Sequence, residues 1–93
     1  MQDRKLWKLA AEVVQPVGVN IPGCPLIEIM GNDRILVENH RGLIGYHNGE
    51  ICIKTKSFMI RITGRDLGVS KMTDQDLVVH GTIEAVQFLE GDA

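Results

Sequence analysis

Three histidines and two cysteines are the most versatile side chains in this 93-residue sequence: His40, His47, His80, Cys24 and Cys52. A zinc site needs three or four nitrogen, sulfur or oxygen ligands converging in space. No two of the histidines have the close spacing that puts a pair of ligands on one face of a strand or helix. The grouping to weigh lies in "VENHRGLIGYHNGEICIKT", residues 37–55, where His40, His47 and Cys52 could hold a metal or small ligand. A hairpin turning at Asn48-Gly49 would put His47 and Cys52 on one face, a diagonal step apart. That makes two ligands, fewer than a site requires. The simpler reading makes His47 a solvent-facing partner of Glu50 across the hairpin.

Other chemistry has less to stand on. Ser57 and Ser70 lie in turn-like settings without the strand–turn–helix context of a nucleophile elbow. Glu28, Glu38, Glu50 and Glu84 fall at exposed strand positions, where charge forms a solvated face and discourages edge pairing. No glycine-rich phosphate loop occurs. The expectation is a non-enzyme that needs no cofactor and no metal.

Charge narrows the partners. Ten Lys and Arg against twelve Asp and Glu leave a formal net charge of −2, and the pI is about 5.8. Phosphate backbones need a basic excess, so nucleic acid is not an expected partner. The four aromatics, Trp7, Tyr46, Phe58 and Phe88, do not interleave with basic residues as a base-stacking platform would require. No apolar run approaches the roughly 20 residues of a membrane span. Cys24 and Cys52 form no CxxC pair, and with no signal peptide they read as reduced thiols of a cytosolic protein.

The elements that would position these residues are mostly strands. An apolar content of 44% beside 24% charged residues is that of a globular domain, and scarce aromatics imply an aliphatic core. Residues 1–15 are the exception: Leu6, Leu9, Ala10, Val13 and Val14 recur at three and four, with Arg4, Lys5 and Lys8 off the stripe. This predicts a short amphipathic helix, which packs on the sheet, docks on a partner or lies on an anionic lipid surface with Trp7 at the interface. Residues 16–25 hold all three prolines and read as a connector.

Residues 26–90 read as one β domain. Asn48-Gly49 is the preferred two-residue hairpin turn, because both central positions need positive φ. It sets Tyr46 opposite Ile51 and Ile44 opposite Ile53. A second reversal at Lys56-Ser57 pairs Ile53 with Ile60 and Ile51 with Ile62, so Ile44, Tyr46, Ile51, Ile53, Ile60 and Ile62 share one face. Val86 and Phe88 change parity from Ile83, which indicates a bulge or a two-sided final strand. "ITGRDL" (62–67) and "VHGTIE" (79–84) echo each other. The expected fold is mainly β: an antiparallel meander or open barrel of about six to eight short strands with a short N-terminal helix. A small β-solenoid stack is the alternative reading of the echo.

From Pro22 to Phe88 the chain resembles the YabP/YqfC family of bacterial sporulation proteins, the YqfC branch in particular. The likeness is carried by "PLIEIMG" (25–31), "VENHRGL" (37–43), "IRITGRDL" (60–67) and "GTIEAVQF" (81–88). It implies a small mother-cell protein of endospore formation, in a family with no assigned enzymatic activity. It further implies a membrane-associated sporulation partner, with the protein in the cytoplasm or peripheral at the membrane around the forespore; an unpaired strand edge would separately allow self-assembly. The expected contact residues are Leu6, Trp7, Leu9 and Val13 of the helix, with Asn39, His40 and Arg41 of the corner that the family shares.

Overall fold

The computed structural model describes residues 23–90. Six strands follow in order: β1 (Leu26–Met30), β2 (Arg34–Glu38), β3 (His40–His47), β4 (Glu50–Thr55), β5 (Phe58–Met72) and β6 (Asp76–Glu90). All pairings are antiparallel, and the ladder runs β1-β2-β6-β5-β4-β3. An antiparallel ladder excludes the solenoid, whose rungs stack in parallel. The N-terminal helix expected over residues 1–15 lies outside the described residues.

One connection dictates the shape. Across a flat ladder β2 and β3 would stand four strand spacings apart, about 19 Å. Only Asn39 separates them in the chain, and two peptide units span at most about 7 Å. The sheet therefore folds over on itself. Residues 59–63 of β5 pair with β4, while residues 68–72 pair only with β6. Residues 77–80 of β6 pair with both β2 and β5, whereas residues 82–90 pair only with β5. The long β5–β6 hairpin thus contributes one half to each of two layers.

The core fills the space between them. Ile35, Val37, Leu77 and Val79 from one layer and Ile51, Ile53, Ile60 and Ile62 from the other are all fully buried, joined by Leu67 and Ile83 at the bend. Each such side chain contributes roughly 1.5–3 kcal/mol by leaving water. The bend needs glycine. Gly81 has φ +135°, and a Cβ there would sit 2.6 Å from the Asp66 carbonyl oxygen; one on Gly64 would collide with the Thr82 carbonyl.

The two short turns dock on this bend in matching fashion. Asn48 and Gly49 of the β3–β4 turn accept from Leu67 N–H (2.9 Å) and Gly64 N–H (3.1 Å). Asn32 and Asp33 of the β1–β2 turn accept from Ile83 N–H (2.8 Å) and Gly81 N–H (3.2 Å). The echo of 62–67 with 79–84 is therefore two facing bends of one hairpin, not two rungs.

Most of the expected register holds. Tyr46 pairs with Ile51, Ile53 with Ile60 and Ile51 with Ile62. The Lys56-Ser57 reversal is stitched by Thr55, whose hydroxyl donates to Phe58 C=O (2.7 Å) and accepts from Phe58 N–H (3.0 Å). The position of Ile44 is a correction. Ile53 pairs with Leu43, and a bulge leaves Ile44 exposed between Leu43 and Gly45. Tyr46 is also exposed, reaching over the end of the layer toward Gly68. Nor are all the strands as short as expected: glycine bends β5 and β6 without ending them, and each runs for 15 residues.

Candidate interaction surface

The corner at residues 39–41 carries three of the expected contact residues, and the structure divides them. Asn39 has φ +65°, a left-handed conformation that Asn tolerates better than most side chains. Its amide donates to Cys24 C=O at 2.9 Å, tying the start of the described chain to the corner. The Asn39 and His40 N–H groups both donate to Gln75 C=O, at 2.6 and 3.3 Å.

His40 faces inward and is 7% exposed. Gly42 N–H donates to its Nδ1 at 3.0 Å, so Nε2 carries the proton and donates to Thr73 C=O at 2.8 Å. This imidazole pins the tip of the β5–β6 hairpin to the β2–β3 corner and offers nothing to a partner. Arg41 is the extra residue of a bulge between His40 and Gly42, and it is exposed. Of the three, Arg41 alone is presented to solvent. Leu6, Trp7, Leu9 and Val13 lie outside the described residues.

The same arrangement takes the metal grouping apart. His40 and His47 stand at opposite ends of β3, seven residues or roughly 20 Å apart. Among the described residues no cluster of three potential metal-ligating side chains forms.

His47 and Cys52 instead border a polar row on the outer face of β4 and β5. Glu50 is its centre: Arg61 Nε lies 3.1 Å from Oε2, His47 Nε2 lies 3.9 Å from Oε1, and Cys52 Sγ donates to Oε2 at 3.5 Å. Arg61 Nη1 donates on to Gln87 at 3.3 Å. The Arg61–Glu50 contact is an ion pair without an aligned hydrogen bond from Nε, which is buried. Burial chiefly, and the Glu50 carboxylate next, push the Cys52 thiol above its usual range despite Arg61. A thiol held protonated is a poor nucleophile. Nothing in the row departs from a cross-strand packing pattern. Sequence reading found His47, Glu50 and Cys52 but not Arg61 or Gln87, whose places follow only from the pairing of β4 with β5 and β5 with β6.

The remaining exposed features belong to the edges. β3 is blunted by its bulges at Arg41 and Ile44. In β6, Glu84 is the extra residue of a further bulge, which accounts for the parity change at Val86 and Phe88. Beyond it, residues 85–90 pair in unbroken register with β5. Among the described residues their other side has no backbone partner, and neither has the outer side of β1. Large apolar side chains gather at these two edges: Leu26, Ile29 and Met30 on β1, and Phe88 on β6, which is 60% exposed.

The described residues thus form a small antiparallel domain with free strand edges at β1 and at the end of β6. The sequence profile of the YabP family matches residues 25–93, and the chain belongs to that family. It is similar to the uncharacterized protein YqfC of Bacillus subtilis (strain 168), at 29% identity over 66 residues covering 71% of each chain. No solved structure matches it.

Proposed function

We propose that this YabP-family chain is a non-enzymatic sporulation factor that works in the mother cell by binding another protein. The partner is a membrane-associated sporulation protein, engaged at the membrane around the forespore, or a further copy of the chain. The observation that carries this reading is the unbroken free edge of β6 over residues 85–90. Such an edge presents a row of N–H and C=O groups to which an added strand can pair. Family membership supports the setting, through the sporulation role that the YabP/YqfC resemblance implies.

The test is affinity capture from sporulating cells, read by mass spectrometry, with the native chain beside an Ala85→Lys, Leu89→Lys double variant. Both residues lie on the outer face of the final strand, where added charge blunts an edge. The expected result is a membrane-associated sporulation protein, or the chain itself, captured by the native form and lost from the variant at unchanged urea midpoint. Equal capture by both forms would remove the β6 edge from the mechanism. An enzymatic turnover traced to the purified chain would end the non-enzymatic reading.

A further inference from the structure

An edge strand can pair with a second copy of itself about a two-fold axis only if its own residues suit one another. Among the described residues two edges are free of backbone partners, the outer side of β1 and that of β6 over residues 85–90. β1 does not suit itself. Full overlap of Leu26–Met30 sets Glu28 opposite the second copy's Glu28, and like charges directly opposed are destabilising. The end of β6 does. Val86 and Phe88 pair with buried Ile62 and Ile60 on the core-facing side, whereas Ala85, Gln87 and Leu89 face outward with Thr63, Arg61 and Met59. A two-fold axis perpendicular to the sheet keeps both faces continuous only when residues of equal parity stand opposite each other. Three centres near the middle of the strand satisfy that condition. Centring on Val86 sets Ala85 against Gln87 and calls on the bulged Glu84 to pair with Phe88. Centring on Phe88 sets the Glu90 carboxylate against Val86, and Gln87 against Leu89. Centring on Gln87 sets Val86 against Phe88, small Ala85 against Leu89, and Gln87 against itself, the best matched of the three.

Gln87 is already oriented for that arrangement. Arg61 Nη1 donates to its Oε1 at 3.3 Å, and Arg61 is held in turn by Glu50 at 3.1 Å. The amide NH2 is left to donate elsewhere, and two such amides meeting at the axis can each donate to the other's Oε1, which has a second lone pair. Phe88, 60% exposed and edge-on to Phe58 at 5.3 Å, gains a further apolar neighbour in the second copy's Val86. We propose that a second copy of this chain pairs antiparallel with residues 85–89 of β6, about a two-fold axis at Gln87. This inference rests on the reading that the β6 edge binds protein, and it commits that edge to self-association. The pairing joins two layers into one sheet in the order β3-β4-β5-β6-β6-β5-β4-β3. Each copy spends its β6 edge once, so the assembly closes at two.

In light scattering the purified chain should rise from the mass of one chain to that of two as its concentration increases, since a single strand pairing is a small interface. The Ala85→Lys, Leu89→Lys variant should keep the mass of one chain throughout, at unchanged urea midpoint, because the pairing opposes its lysines. Single cysteines in a Cys24→Ser, Cys52→Ser background read the register. Opposed Cα atoms of antiparallel strands lie about 4.5–5.5 Å apart, within disulfide reach, and diagonal ones at about 7–8 Å lie beyond it. Gln87→Cys should therefore cross-link in air several-fold faster than Val86→Cys or Phe88→Cys. A mass of one chain at every concentration overturns this inference, while a membrane protein captured by the native chain and lost from the lysine variant would still uphold the partner reading. Masses that grow past two chains, or fastest cross-linking at residue 86 or 88, overturn it as well.

Discussion

His40 and Thr73, 33 residues apart in sequence, are joined by a 2.8 Å hydrogen bond from imidazole Nε2 to the backbone carbonyl. With Gly42 N–H on Nδ1, both ring nitrogens are spent on the fold. His40→Ala would leave the Thr73 carbonyl and the Gly42 amide without their partner inside a buried corner. A loss of about 2–3 kcal/mol in urea unfolding is expected. Arg41→Ala should stay within about 0.5 kcal/mol of the parent, as exposed residues do. Similar losses for the two would show that His40 is not the pin.

The glycines separate by geometry. Gly81→Ala meets both a positive φ and the Asp66 backbone, with no flexible side chain to yield. It should cost upwards of about 3 kcal/mol or prevent folding. At Gly45 an added Cβ finds only Cys52 Cβ at 3.8 Å, an ordinary contact, and φ is not left-handed. Gly45→Ala should shift stability by less than about 1 kcal/mol. Thermal melts of the pair read the difference directly.

The bulge in β3 yields a parity test. Leu43→Ala removes a side chain packed on the core and opposite Ile53, and should cost on the order of 1–3 kcal/mol. Ile44→Ala removes an exposed one and should be within about 0.5 kcal/mol. The alternating register without a bulge reverses that order, so denaturant midpoints of the two variants decide between them.

Thiol reactivity tests the polar row. Cys52 is held protonated by burial first and by Glu50 second, whereas Cys24 is exposed. At neutral pH, Cys24 should react first with a disulfide reagent and Cys52 more slowly, since the thiolate is the nucleophile. Glu50→Gln removes a repelling carboxylate, so Cys52 should react faster and its rate should rise at lower pH. The sign for stability follows: the native state keeps the Cys52 proton to higher pH than the unfolded chain. Stability therefore falls as pH climbs through the thiol range and is unaffected well below it. Equal rates for the two thiols at neutral pH would refute this account.

The sequence carries its local chemistry openly and its long-range pairing poorly. Asn48-Gly49 announces its hairpin, and the alternation of Ile51, Ile53, Ile60 and Ile62 announces the buried face, because both are properties of adjacent residues. The extra residue at Ile44 defeats simple alternation: a bulge moves one side chain without any change in composition. Gly64 and Gly81 look like strand breaks, although glycine also serves where two backbones cross closely within continuous strands. His40 looks like a surface group because polar residues at a corner are usually exposed. Its burial depends on the β5–β6 tip, whose Thr73 and Gln75 are remote in sequence. The parity change at Val86 and Phe88 is legible, and the Glu84 bulge explains it. That it exposes Phe88 beside a free edge follows only from the ladder order.

The β2–β6 pairing also sets the order of events during synthesis. Ile35 waits for Val79, and Val37 for Leu77, across some forty intervening residues. The β1–β2 hairpin leaves the ribosome first but acquires its neighbouring strand last, after the β3–β4 and β4–β5 pairs can have formed. Pairings so distant in sequence are slow to form, because the loop must close before the contacts reward it. Until residue 80 emerges, a nascent chain exposes the apolar face of β2 with nothing to cover it, and that interval is when the protein is most open to misassociation with its neighbours.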